Sequence, residues 1–360
     1  MMDYYPLLRP LLFLLPEETA HHLVLFAARR GMLPPQPAQD IPALKQSIWG
    51  LDFPNPLGLA GGFDKHAEAA DALLRQGFGF VETGTVTPLP QPGNPKPRLF
   101  RLPEDRAIIN RFGFNSVGME RFRASLMRQK RRGIVGVNIG KNKESADATQ
   151  DYLTLLRVFY PLAGYITINI SSPNTPGLRE LQKHGMLEEL LSNLRDTARA
   201  LAQETGKKTP VLLKIAPDIT PEDKEHIARA ALEYSVDGLI ISNTTLARDG
   251  LKNTTRAQEQ GGLSGTPLFA PSTRLLGEMY ALTGGKVPLV GAGGIFSGVE
   301  AYAKIREGAS LLQLYTALIY QGFSAVSRIN RELSTLLERD GFTHISQAIG
   351  ADAGKTHVGA

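Results

Sequence analysis

Eight short apolar runs recur between residues 57 and 315, each ending in small or polar residues such as glycine, asparagine, threonine or lysine. They fall at 57–60, 79–85, 134–139, 165–170, 211–215, 238–242, 287–290 and 311–315. The runs are near-continuously apolar rather than alternating, the pattern of strands covered on both faces of a parallel sheet. Segments with helical spacing lie between them, such as 67–75 and 221–234. Thr220 before Pro221 reads as an N-cap followed by proline at the first helical position. Eight strand–helix units over about 280 residues predict an α/β fold, a (β/α)8 barrel of the TIM type. A doubly wound open sheet is the structural alternative. Two connections are long, 87–133 and 246–268. In a barrel such loops stand over the ligand-binding face, so 246–268 and the segment holding Asn115 are candidate lids.

Ahead of this pattern the chain changes character. Residues 4–15 are strongly apolar, and residues 16–30 mix apolar positions with charges. Prolines and charges interrupt the stretch too often for a spanning helix, which needs roughly 20 apolar residues. Asp3 precedes the run and no basic segment leads it, so a secretory signal is not predicted. Two short helices with one apolar face are. They either pack on the main domain or lie in a membrane interface with Arg9, Arg29 and Arg30 near the headgroups; composition weights the two equally. Residues 33–42 hold four prolines and form a linker. The expected organisation is a helical arm and linker over 1–42, a catalytic barrel over 43–340 and a polar tail over 341–360.

Composition narrows the chemistry. Hydrophobic residues make up 42% of the 360 positions and charged residues 21%, which supports a sizeable core. The net charge of +5 permits anionic ligands or a membrane surface, and no lysine- or arginine-dense tract points to nucleic acid. With no cysteine, thiolate nucleophiles and cysteine-ligated metals are excluded within this chain. The seven histidines are scattered apart from His21–His22, so no metal site is expected.

The strand ends are more informative. In order they carry Gly61-Gly-Phe-Asp-Lys65, Glu82-Thr-Gly-Thr85, Asn138-Ile-Gly-Lys141, Asn169-Ile-Ser-Ser172, Lys214, Ser242-Asn-Thr244, Gly291-Ala-Gly-Gly294 and Tyr315-Thr316. Any one of these suits a turn. All eight on one rim describe a polar pocket, since amides and lysines at apolar strand ends are costly to bury without partners. The loops after strands seven and eight are where barrels commonly hold a phosphate, and glycine lets backbone N–H groups approach an anion. Phe296 stands where a dinucleotide fingerprint would need its third glycine. Lys214 is a candidate fixed cation beside a flavin, and Lys65 a candidate clamp for a carboxylate.

These residues make the chain similar to dihydroorotate dehydrogenases, specifically the membrane-associated, quinone-dependent class. The matching stretches are Leu59–Lys65, Glu82–Pro88, Arg98–Asp105, Ile109–Asn115, Asn169–Gly177, Ser242–Thr245, Gly262–Gly265 and Gly291–Ile295, with the Tyr-Tyr-Pro helical arm. The resemblance implies FMN, one per chain, and oxidation of dihydroorotate to orotate in pyrimidine synthesis. Ser172 would be the base that removes the C5 proton while a hydride leaves C6. Ser171 has no such role. Serine is a weak base, so a relay through Thr175 and water is implied.

Carried over by position, Lys65, Asn110, Asn169, Asn174, Asn243 and Thr244 would bind substrate, with Arg111, Phe112, Gly113 and Phe114 beside them. Gly61, Gly62, Phe63, Asp64, Lys65, Thr85, Asn138 and Asn169 would line the cofactor, joined by Lys214, Ser242, Gly265, Gly293, Gly294, Tyr315 and Thr316. His21 and Arg101 match polar positions near a quinone tunnel. Ubiquinone or menaquinone as co-substrate, a monomer, and a peripheral place on the cytoplasmic face of the bacterial inner membrane complete what the resemblance implies. Two other readings stay open on the residues. One is an FMN barrel acting on a pyrimidine base in a nucleotide or RNA. The other is a phosphate-binding barrel without redox chemistry, tethered to membranes.

Overall fold

The computed structural model describes residues 4–36, 39–130 and 133–354. Eight parallel strands close into a barrel: β1 (Leu57–Asp64), β2 (Phe80–Val86), β3 (Ile134–Ile139), β4 (Tyr165–Asn169), β5 (Val211–Ile215), β6 (Gly238–Ile241), β7 (Leu289–Ala292) and β8 (Ala309–Leu314). Each pairs with its neighbour in sequence, and Leu312 of β8 pairs with Leu57 of β1 to shut the ring. The closed barrel, not the open sheet, is therefore the fold. All eight expected runs are strands, with ends displaced by a few residues.

The helix expected over 67–75 is shorter, Ala70–Leu74. The Asp64 carboxylate accepts from the backbone N–H groups of Glu68 (2.9 Å) and Ala69 (2.8 Å) and holds the entry in a turn, where Ala67 takes a left-handed φ of 52°. Pro221–Glu233 is helical as read, and Thr220 caps it by accepting from Asp223 N at 3.2 Å.

The barrel's two ends are closed differently. Below, the hairpin of Gln46–Ile48 and Leu51–Phe53 turns at Trp49 and Gly50, both at positive φ as a tight hairpin requires. Its Phe53 packs against Phe80 (ring centroids 5.4 Å) in an apolar plug with Tyr165, Leu212, Ile240, Val290 and Leu311. Above, the two long loops are woven together. Leu99–Leu102 and Ala107–Asn110 from the first pair antiparallel, and Gly262–Gly265 from the second adds to the same sheet. Sequence pattern alone does not single out these three strands, because each is only four residues long.

The arm consists of two helices, α1 (Tyr5–Leu14) and α2 (Glu17–Arg29). Helix α1 buries no residue fully, and its Leu7, Leu8, Leu11 and Leu14 stand exposed, Leu14 by 82%. It is held by polar contacts: Tyr5 Oη donates to Ile319 O (2.5 Å) and Arg9 to Tyr320 O (3.1 Å). Helix α2 is anchored by a bidentate pair, Arg98 Nη2 to Glu18 Oε1 (2.8 Å) and Arg98 Nε to Glu18 Oε2 (3.2 Å). Partial burial alone would raise the Glu18 carboxyl, but Arg98, with Lys96 and His22 behind it, holds it below its usual value. Among the described residues no helix is long and apolar enough to cross a membrane. The start of the expected polar tail packs on the barrel: Ile345 and Ala348 are fully buried and Arg306 pairs with Asp352 (2.7 Å). Residues 355–360 of it lie outside the described residues.

Removing the Glu18 carboxylate strips Arg98 of a charge-assisted pair worth roughly 2 kcal/mol. Glu18→Ala is expected to speed amide exchange in α2 about 30-fold with the barrel strands unchanged; equal exchange in α2 would show that the pair does not hold the arm. Because the Glu18 carboxyl is held low in the folded protein, this anchoring is present at neutral pH and is lost as pH falls through that lowered range.

Candidate active site

The C-terminal mouth of the barrel opens into a cavity of about 160 Å³. Every strand end reaches it or the layer directly beneath. At the centre lies Glu82 of β2, fully buried. Its carboxylate accepts from Asn138 Nδ2 (2.7 Å), Gln313 Nε2 (2.8 Å), Thr167 Oγ1 (2.9 Å) and Tyr165 Oη (3.1 Å). A second layer stands on this one. Thr85 Oγ1 donates to Asn138 Oδ1 (2.5 Å), and Asn169 Nδ2 lies 3.2 Å from both Thr85 Oγ1 and Asn138 Oδ1. Asn169 Oδ1 accepts from Ser171 Oγ (3.0 Å), and Asn243 Nδ2 donates to that same hydroxyl (3.0 Å). Each amide is thereby fixed in orientation by the one below it.

The two serines separate cleanly. Ser171 is fully buried, bonded to Asn169 and Asn243, with its carbonyl accepting from Arg179 Nε (3.1 Å). Ser172 lines the cavity, and its Oγ accepts only from Asn174 N (3.3 Å). No imidazole or carboxylate hydrogen-bonds to it among the described residues, so it has no conventional activating base. Thr175 Oγ1 is buried without a hydrogen-bond partner, and Thr175 is not part of the cavity lining.

Two lysines face the cavity with no carboxylate in hydrogen-bond contact among the described residues. Lys65 Nζ donates to Asn115 Oδ1 (2.7 Å) and stands 3.1 Å over the Phe112 ring. Burial, reinforced by Arg98, pushes its pKa well down against the pull of Glu18. Lys214 on β5 is lowered by burial, opposed by Glu82. Asn174 Nδ2 donates to Asn110 O (3.1 Å), joining the β4 loop to the covering sheet. Gly293 and Gly294 follow β7 at φ of 100° and 75°, and a Cβ at Gly294 would fall 2.4 Å from that of Phe269, so only glycine fits this turn.

Most sequence-derived residues therefore converge: Gly61, Gly62, Lys65, Thr85, Asn110 and Phe112–Phe114 on one side, and Asn169, Ser172, Asn174, Lys214, Ser242–Thr244, Gly265, Gly293, Gly294, Tyr315 and Thr316 on the other. Five side chains do not line the cavity. Phe63 packs among His21, Tyr315 and Phe323. Asp64 caps the following turn, and burial pushes its carboxyl up to about 6. Asn138 lies beneath the floor and Thr175 behind the wall. Arg111 turns outward to Glu259 (2.7 Å). The Phe100 ring and Glu259 hold the Arg111 side chain on the outer surface of the covering sheet.

His21 and Arg101 sit at the arm. His21 Nε2 is 2.9 Å from Phe63 O, and burial, with Lys65 and His22, pushes its pKa down to about 3, so it is neutral at physiological pH. Arg101 lies 4.6 Å over the Phe13 ring and donates to the carbonyls of Leu12 and Leu15. From Phe13 an apolar cluster of Leu99, Ile108, Phe112, Phe296 and Ala317 runs to the cavity wall. Gln313 and Ser264, which sequence reading missed, also line the cavity. Their signal is faint; a polar residue inside an apolar strand marks Gln313, and nothing local marks Ser264. Away from the cavity, His184, Glu188 and His226 come together in an imidazole–carboxylate cluster.

Comparison with known proteins agrees with this geometry. A family model described as dihydroorotate dehydrogenase matches residues 43–337. The dihydroorotate dehydrogenase (quinone) of Parvibaculum lavamentivorans is 56% identical over 352 residues, covering 98% of this chain and 99% of its own. That of Xanthobacter autotrophicus is 50% identical over 355 residues, with the same coverage. Among solved structures, DHODH of Eimeria tenella in complex with ferulenol superposes with a TM-score of 0.90 at 42% identity, covering 93% of this chain and 95% of the other. The ligand-free form of the Eimeria tenella protein gives 0.88 at 43% identity, covering 94% and 99%. A barrel whose rim is built from amides, lysines and one unpaired serine thus belongs to the dihydroorotate dehydrogenase family, as a quinone-dependent enzyme that oxidises dihydroorotate in pyrimidine biosynthesis.

Proposed function

We propose that the cavity holds FMN, with dihydroorotate above it between the amides and Lys65, and that Ser172 is the catalytic base. The observation that carries this reading is the pair of lysines at the cavity, half-buried Lys65 and buried Lys214, to which no carboxylate hydrogen-bonds among the described residues. A buried cation without a counter-ion is costly, and an anionic ligand relieves that cost. The donor set suits FMN: the glycine turn after β7 takes the phosphate, with the Thr316 backbone beyond β8 beside it. Lys214 places positive charge at the wall, where it favours negative charge on a bound ring. When bound, FMN supplies the acceptor for the hydride that leaves C6.

The remaining work falls to the chain's own residues. Lys65 holds the substrate carboxylate. Asn110, Asn169, Asn174 and Asn243 present both donors and acceptors, which matches a ring carrying carbonyls and N–H groups. Asn169 and Asn243 are locked through Ser171, so their orientation is set before substrate arrives. Ser172 takes the C5 proton as its own O–H proton passes through water to Thr175 Oγ1, whose hydroxyl proton leaves in turn to solvent; the unpartnered state of that hydroxyl supports the relay. The apolar corridor from Phe13 to Phe112 is the approach for a quinone, ubiquinone or menaquinone, with Arg101 at its outer end. The leucine face of α1 rests in the headgroup boundary of the cytoplasmic leaflet, so the arm is the membrane unit of a peripheral, monomeric protein and the barrel its catalytic unit.

Ser172→Ala should retain bound flavin absorbance yet slow flavin reduction by dihydroorotate at least about 100-fold in stopped flow. Wild-type rates would remove serine from the mechanism. Lys65→Ala should raise KM for dihydroorotate about tenfold or more, and an unchanged KM would argue against a carboxylate clamp. With Leu7, Leu11 and Leu14 all changed to glutamate, co-sedimentation with anionic vesicles should disappear and turnover with a long-chain quinone should fall. Turnover with a short, soluble quinone should stay within about twofold, because the corridor itself is untouched. Vesicle binding that survives the triple change would exclude α1 as the membrane face.

A further inference from the structure

Lys304 lies on helix Gly298–Arg306, which follows β7, and its side chain is 0% exposed. Its Nζ donates to Ser272 Oγ (2.8 Å) and Thr273 Oγ1 (2.9 Å) and lies 5.4 Å over the Phe269 ring. Hydroxyls satisfy its protons but not its charge. Among the described residues no charged group acts on it, and burial alone pushes its pKa down to about 7. The stem runs directly behind the β7 turn: a Cβ on Gly291 would stand 3.2 Å from Lys304 Cδ, and one on Gly293 3.0 Å from Ser272 Oγ. The single Ser272 hydroxyl proton faces two carbonyls, Phe269 O at 3.2 Å and Gly293 O at 3.4 Å. In a planar trans peptide the carbonyl and the following N–H point opposite ways. Drawing Gly293 O toward Ser272 therefore turns Gly294 N–H away from it, toward the cavity that both glycines line.

We propose that Lys304 is a positioning residue for the cofactor phosphate, acting from behind the Gly291–Gly294 turn. Its charge attracts the phosphate through the turn, and its bond to Ser272 fixes a hydroxyl that bridges Phe269 O and Gly293 O. The ammonium finds its missing counter-ion only when the phosphate is bound. This rests on the FMN reading above and adds to it a residue that never touches the cofactor.

The phosphate is what separates FMN from riboflavin, so the test is a competition. The full-length holoenzyme is equilibrated with an equimolar excess of FMN and riboflavin, and the ratio of bound flavins is read by chromatography after denaturation. Lys304→Met should lower the FMN preference about tenfold or more. Ser272→Ala keeps the charge and removes only the link, and should lower the preference by a smaller factor. Damage to the fold changes occupancy by both flavins but leaves the ratio alone. An unchanged ratio in a flavin-loaded Lys304→Met overturns the proposal and spares the FMN reading. Should Lys304→Met fail to fold, an unchanged ratio in Ser272→Ala overturns it equally. Wild-type protein that carries neither flavin would sink both.

Discussion

Everything above the barrel floor stands on one buried carboxylate. Glu82 ties β2 to β3 through Asn138, to β4 through Tyr165 and Thr167, and to β8 through Gln313. A lone carboxylate in an apolar barrel would be prohibitively expensive, and four donors make it tolerable. What it provides is direction. Asn138 has one amide end committed to Glu82, so its oxygen must face upward, and Thr85 and Asn169 inherit their orientation from it. The polarity of the site is set from below, through a chain of amides that have no freedom to flip. Even the neighbouring glycine follows: a Cβ at Gly61 would fall 2.5 Å from Glu82 Oε1.

A second organising constraint is the partition between the barrel and its arm. The barrel is held by a continuous apolar core, whereas α1 is held at its polar edges by Tyr5, Arg9 and Arg101. Its leucines are consequently left to the solvent or to whatever replaces it. Phe13 alone of its large apolar side chains joins a cluster, against Tyr320, while Leu7, Leu8, Leu11 and Leu14 stay exposed.

The barrel was legible because its signal is local. Near-continuous apolar runs of four to seven residues, alternating with helical segments, leave few alternatives to a covered parallel sheet, and the polar residues ending each run fall on one rim by topology alone. Thr220 likewise announces its helix in the bare chain. What stayed hidden depends on long-range placement. The sheet formed by Leu99–Leu102, Ala107–Asn110 and Gly262–Gly265 joins segments more than 150 residues apart, and no periodicity in so short a strand reveals its partner. The outward turn of Arg111 was hidden too: its sequence neighbours Asn110 and Phe112 line the cavity, and its pairing with Glu259 joins residues 148 apart. Lys304 reads as an ordinary helix-surface lysine until the turn it underlies is known.

That woven sheet has a mechanical consequence. The loops after β2 and β6 look like two independent flaps in the chain, but shared backbone hydrogen bonds make them one plate, pinned to the arm by Arg98 and to the β4 loop by Asn174. A plate fixed along these edges does not hinge at its centre. Opening the chamber must therefore move both loops together rather than one flap at a time.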